Sequence, residues 1–184
     1  KAHLVGPANC IGHGACFRAC PEGAIELVFG TAKRGVDIPM VKPNFETNIP
    51  GMFIAGELGG MGLIRNAIEQ GRQALESIRQ LKGFGKSGQH DLVIVGAGPA
   101  GIAASLGAME AGLDFLTIEQ DSLGGTVAHF PRGKLVMTAP AMLPIVGKMH
   151  FKETQKEKLI EFWRDVESKT GLSVNYKERV TGIT

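Results

Sequence analysis

The chain has 184 residues, 43% of them hydrophobic, and a formal charge of +2. That length allows one or two domains with a real core. The scattered Lys and Arg give no ground for a nucleic-acid partner, and no run is apolar enough for a membrane span or a signal peptide. Three cysteines are an odd number, which argues against a disulfide framework and for a reducing compartment, the cytoplasm, with metal or redox use. The chain opens on Lys1 and closes at Thr184 inside a strand-like VTGIT, so a segment of a longer polypeptide is expected.

Residues 1–30 carry all the cysteines, in CIGHGACFRACPEGAI, with the spacing C-x5-C-x3-C-P. Thiolates are soft, anionic ligands, and the small residues Gly12, Gly14 and Ala15 would let a loop wrap a compact centre. The segment resembles the bacterial-type ferredoxin run C-x2-C-x2-C-x3-C-P. Cys10, Cys16 and Cys20 match its first, third and fourth cysteines, and His13 stands where the second belongs. The resemblance implies an iron–sulfur segment and leaves four outcomes: a three-iron cluster, His13 as a ligand, a ligand from elsewhere, or no cluster. Zinc held by Cys10, His13, Cys16 and Cys20 is a further alternative, although the spacing is not that of a usual finger.

Residues 31–82 begin with a polar, Pro-punctuated stretch in which VDIPMV reads as a short strand. Met52–Ala55 follows as a strand and Gly56–Gly62 as a Gly-rich turn. Leu63–Leu81 then shows apolar residues at helical spacing. The run TNIPGMFIAGE resembles the second flavin motif of the thioredoxin reductase and glutathione reductase superfamily, T-x-x-P-G-[VIM]-F-A-x-G-D. Thr47, Pro50, Gly51, Phe53, Ala55 and Gly56 match, and Glu57 stands where an Asp is usual. In that family the acid meets the flavin ribityl chain. Residues 83–90, GFGKSGQH, read as a connector.

Residues 91–184 open with the apolar run Leu92–Val95 and then Gly96, Gly98 and Gly101 in G-x-G-x-x-G, followed by a helix-like IAASLGAMEAG. The first glycine permits a tight turn, the second lets a pyrophosphate approach the backbone, and the third lets helix pack on strand. A second strand, Phe115–Ile118, ends in Glu119, 18 residues beyond Gly101, where a ribose hydroxyl partner belongs. Gly124 and Gly125 form a turn in LGGTVAHFP, a stretch that resembles the thioredoxin reductase segment lying against the flavin. The resemblance therefore favours FAD over NAD here. It implies Pro99, Ala100, Gln120 and Thr126 as cofactor contacts beside the glycines and Glu119. His129 lies near this turn, within reach of a bound flavin, but no catalytic acid or base is assigned. Thr154-x-x-Glu157 reads as a capping box opening a helix to about Thr170, with Trp163 in its core face. Gly171 ends that helix, and Leu172–Tyr176 and Arg179–Ile183 read as strands.

The expected fold is α/β: a Rossmann-like FAD-binding domain with a parallel sheet, behind a small ferredoxin-like segment. In the reductase family the glycine fingerprint precedes the G-D motif; here the order is reversed. Either the chain spans a junction of two flavin modules, or one FAD domain is permuted. The short connector and the lack of a second fingerprint favour permutation. The resemblances imply a FAD-dependent oxidoreductase segment passing electrons between NAD(P)H and an iron–sulfur or other one-electron carrier. The NAD(P) domain would lie outside the segment, an electron-carrier protein or redox subunit would be the partner, and homo-oligomer formation is left open. No C-x-x-C occurs, so thioredoxin-type dithiol exchange is not supported. The competing expectation is a non-catalytic flavin- or nucleotide-binding subunit or redox sensor.

Overall fold

The computed structural model describes residues 18–23, 39–59, 63–82, 84 and 89–183. The chain divides into two compact units, Lys1–Asp37 and Ile38–Thr184. In the first, the Cys-Pro-Glu-Gly turn closes with the Gly23 N–H donating to the Cys20 carbonyl at 3.3 Å.

The second unit is built on a three-stranded parallel sheet in the order β1 (Leu92–Val95), β2 (Phe115–Glu119), β7 (Asn175–Tyr176). Leu92 stands opposite Phe115 and Val95 opposite Ile118; Glu119 stands opposite Tyr176. Between β1 and β2 runs helix α2 (Pro99–Glu110), with proline in its first turn where a missing N–H does no harm. Its buried Ile102, Ala103 and Leu106 join the core. Its one buried hydroxyl is satisfied twice: Ser105 Oγ lies 2.7 Å from the Gly101 carbonyl and 2.8 Å from Thr117 Oγ1 on β2. Helix α3 (Lys156–Thr170) buries Leu159, Ile160, Trp163 and Val166 in the core, packs beside residues 153–155 and the turn at 125–129, and ends at Gly171, φ +72°. Trp163 is fully buried, makes an edge contact with Phe162 at 5.1 Å, and finds no hydrogen-bond partner for its indole N–H among the described residues.

Helix α1 (Ile64–Arg79) precedes the sheet in sequence yet lies across α2. Ile64, Ala67, Ile68, Gly71, Ala74, Leu75 and Ile78 form its buried stripe, at the spacing of one helical face. Gly71 sets the closeness of the crossing: a methyl there would lie 2.1 Å from the Ala100 carbonyl oxygen. Because that neighbour is backbone, Gly71→Ala is expected to push α1 off α2 at about 2–3 kcal/mol, lowering Tm by roughly 5–10 °C in a thermal melt.

Several sequence expectations change. Met52–Ala55 is no strand of the sheet: Phe53 makes an isolated bridge with Glu46, and the Ile54 N–H donates to the Phe45 carbonyl. Two short antiparallel pairs occupy the stretch before α3. β3 (Leu135–Met137) pairs with β6 (Glu153–Gln155), and β4 (Ala141–Leu143) pairs with β5 (Gly147–Met149). Thr154 therefore lies in β6 rather than at a helix cap, and Glu157 accepts the Gly133 N–H at 3.1 Å. Arg179–Ile183 forms no strand, and β7 is shorter than expected. Of VDIPMV, Val41 makes an isolated bridge with Thr47, and Val36–Ile38 lie outside the described residues.

Candidate functional site

The Thr47–Gly51 turn is fixed locally. Buried Thr47 uses its hydroxyl both to accept the Ile49 N–H at 3.0 Å and to donate to the Ile49 carbonyl at 3.2 Å. Glu46 accepts the Gly51 N–H at 3.2 Å, and Gly51 holds φ +79°. The Lys42 ammonium beside Glu46 and the Gly51 N–H keep that carboxyl below the usual range. The chain then reaches Gly56, φ +91°, whose added methyl would lie 3.0 Å from Ala100 Cβ. Gly56 thus packs on the first turn of α2, and Glu57 follows in a one-turn 3-10 segment, Glu57–Gly59.

The glycine loop is equally tight. Gly96 turns at φ +102°, and Gly101 leaves no room for a side chain: a methyl would lie 1.8 Å from the Gly96 carbonyl oxygen. Gly98 differs. Its backbone is extended, and a methyl there would meet only the Gly125 Cα, at 3.8 Å. Gly98 is also the N-cap of α2 and supplies no side-chain cap to the first-turn N–H groups, which lack intrahelical partners.

These segments meet in one open cleft of about 370 Å³. Gly96, Gly98, Pro99, Ala100 and Gly101 form one wall, Gly56 and Glu57 another, and Gly125 and Thr126 a third. Leu63, Val95, Phe130, Leu135 and Met137 make the rest apolar. Among the described residues, Glu57 is the one ionisable side chain lining it. Gln120 is exposed and Gly124 is buried against Ile160; neither lines the cleft.

Glu119, 6% exposed, stands behind the loop. One carboxylate oxygen accepts the Ala97 N–H at 2.7 Å and the other the Asp121 N–H at 2.8 Å. The sequence anticipated an acid here as a ligand contact; what the structure shows is a structural task, strapping the glycine loop to the turn after β2. His129 is exposed and does not line the cleft: it pairs with Asp121 at 3.2 Å, while Lys177 holds the other oxygen of Asp121 at 2.8 Å. The Lys177 ammonium, through its hydrogen bond and then its charge, keeps the Asp121 carboxyl low. A second groove, about 660 Å³, runs from Asp121 and Lys177 along α3. In it Tyr176 donates to Glu167 at 2.5 Å, and burial together with that carboxylate pushes the phenol above its ordinary range.

Of the cysteine run only Cys20 lies among the described residues, half-buried; Cys10, His13 and Cys16 lie outside them. Among the described residues no three His, Cys, Asp or Glu side chains cluster closely enough to hold a metal ion, and no helix is long and apolar enough to cross a membrane.

Sequence reasoning missed Gln70 and Gly71. Both sit mid-helix in α1, where a glutamine reads as surface and a glycine as a mild defect.

A parallel sheet with a glycine turn between β1 and an uncapped helix places the second unit in the Rossmann-type α/β class. Residues 93–184 match the pyridine nucleotide-disulphide oxidoreductase family, and the chain belongs to that family. Dihydrolipoyl dehydrogenase 2, chloroplastic, of Arabidopsis thaliana is 42% identical over 72 residues, 39% of this chain and 12% of that protein. Bacillithiol disulfide reductase of Staphylococcus aureus aligns structurally with a TM-score of 0.44 at 22% identity, over 48% of this chain and 28% of its own. The chain thus spans about an eighth of the curated relative's length.

Proposed function

We propose that the second unit is a single FAD-binding domain of permuted order, and that the chain is part of a FAD-dependent NAD(P)H oxidoreductase delivering electrons to a one-electron carrier. The observation that carries this is the packing of Gly56 on Ala100: a turn some 40 residues upstream of the fingerprint shares one cleft with it. The cleft suits a dinucleotide. Its glycine wall offers an extended backbone and an unsatisfied helix end for a diphosphate, and its remaining wall is apolar, as a flat ring system requires. In this reading Gly96–Gly101 hold the diphosphate, Glu119 adds a ribose contact to its strap, and Glu57 meets the ribityl chain. Gly125 and Thr126 flank the ring. The flavin supplies two-electron uptake from a nicotinamide and single-electron release; the protein orients it and excludes water from its apolar side.

The carrier half of the proposal is supported by the spacing of Cys10, Cys16 and Cys20 and by His13. The NAD(P) site is assigned to a domain other than this one.

The test is the cofactor content of the chain purified without oxygen. One flavin released per chain, identified as FAD, is expected, with iron and acid-labile sulfide if the cysteine run holds a cluster. A colourless protein that takes up NADH but no FAD would reverse the flavin assignment; flavin without iron would leave it standing and remove the cluster.

A further inference from the structure

We infer that Gln70 is a positioning residue for the cleft: it sets the height of the Gly56–Glu57 turn above the diphosphate wall, and so governs binding of the polyol portion of the ligand. The inference rests on the flavin reading above.

Gln70 projects from the second turn of α1, and its side-chain oxygen accepts the Gly56 N–H at 2.8 Å across 14 positions of sequence. Gly56 is buried and Gln70 half-buried, so water competes poorly for this donor and the bond is partly desolvated. Its neighbour in α1, Gly71, lies directly against the Ala100 carbonyl. Two adjacent residues of α1 therefore do complementary work. Gly71 seats the helix on the first turn of α2, and Gln70 carries the Gly56 turn on that same helix. The third side of the triangle is the approach of Gly56 to Ala100 Cβ. Position 56 is thus held relative to the helix end that would face a diphosphate.

Glu57 inherits that placement. It is exposed and lines the same cleft as the glycine loop, so its carboxylate is an acceptor that a hydroxylated chain leaving the diphosphate would pass. A ligand that stops at the diphosphate needs only the glycine wall. Gln70 should therefore discriminate between FAD and ADP, which a residue that merely stabilised the fold would not do.

The experiment measures dissociation constants of the full chain, stripped of bound flavin, for FAD and for ADP. It compares the parent with Gln70→Leu, which removes the acceptor, and Gln70→Glu, which keeps one. Gln70→Leu is expected to weaken FAD about tenfold, the scale of one lost buried hydrogen bond, with ADP changed less than about twofold. Gln70→Glu is expected to return the FAD-to-ADP ratio to about the parent value; the ratio is the readout because an added charge near the phosphates would move both constants together. Should Gln70→Leu not fold, Glu57→Ala, at an exposed position, carries the test with Gln70→Glu: the same FAD-selective loss is expected from Glu57→Ala and none from Gln70→Glu. Equal losses of FAD and ADP in Gln70→Leu, no loss of either, or a Glu57→Ala chain that holds FAD as the parent does would overturn the inference. A parent that binds neither ligand would instead overturn the flavin reading, and the role of Gln70 with it.

Discussion

Gly101→Ala is expected to cost about 3 kcal/mol or more and to abolish retention of a dinucleotide, whereas Gly98→Ala, in the same loop, is expected to fold normally and lose only the ligand. The difference lies in what each new methyl meets. At Gly101 it would lie 1.8 Å from the Gly96 carbonyl oxygen, 3.0 Å from the Gly96 carbonyl carbon and 3.6 Å from the Ile94 side chain. No rotamer relieves a clash with backbone, so α2 must lift from β1. That movement also loosens Ile102 and Leu106, both buried in the core against it, and the Ser105–Thr117 pair. At Gly98 the methyl would touch only the Gly125 Cα, at 3.8 Å, an ordinary contact, and the extended backbone there is open to any residue. Stability should stay within about 1 kcal/mol of the parent. The methyl would nevertheless stand in the cleft beside the helix end, where a diphosphate must come close. At least a tenfold weaker dissociation constant for ADP is expected from Gly98→Ala, with an unchanged melting curve. A Gly98→Ala chain that bound ADP as the parent does would place the diphosphate elsewhere.

What the sequence made legible was backbone requirement. Gly96 and Gly101 are written into the chain because one turns at φ +102° and the other leaves no room for a side chain, whereas Gly98 is called for only by the proposed approach of a diphosphate. Gly51 and Gly56 are likewise called for by their backbone, at φ +79° and +91°. The long amphipathic stripes of α1 and α3 were legible because seven and four buried positions repeat the helical period. The pairs β3–β6 and β4–β5 were not, since three-residue strands carry too few alternations to signal a period. Thr154 and Glu157 fit a capping pattern that tertiary pairing overrode: the backbone of Thr154 is spent on β3, and Glu157 turns to Gly133. Met52–Ala55 looked like a strand from its apolar content, but its hydrogen bonds go to Phe45 and Thr47 in its own turn. Gln70 and Gly71 could not be read at all, because Gly56 reaches Gln70 only through the fold of the intervening turn, and Ala100 reaches Gly71 only once α1 lies on α2.

Glu119→Ala is the other large effect, and it separates the strap seen in the structure from the ribose contact expected from the sequence. In the folded chain the carboxylate accepts two backbone N–H groups, from Ala97 and from Asp121. Removing it leaves both donors without their partner at a site only 6% exposed, and each such donor costs about 1–3 kcal/mol. A loss of roughly 3 kcal/mol in chemical denaturation is therefore expected before any ligand is considered. Glu119→Gln should fall between, because an amide offers one acceptor and turns an N–H toward the second donor. The ligand contact is then read by a cycle. If a remaining lone pair of Glu119 also receives a ribose hydroxyl, the parent should discriminate against 2′-deoxy-ADP by about 1 kcal/mol, and Glu119→Gln should reduce that discrimination. Equal discrimination in both proteins would leave Glu119 as a strap alone. The loop would then owe its geometry to the carboxylate, while the ribose found its partner in some other side chain.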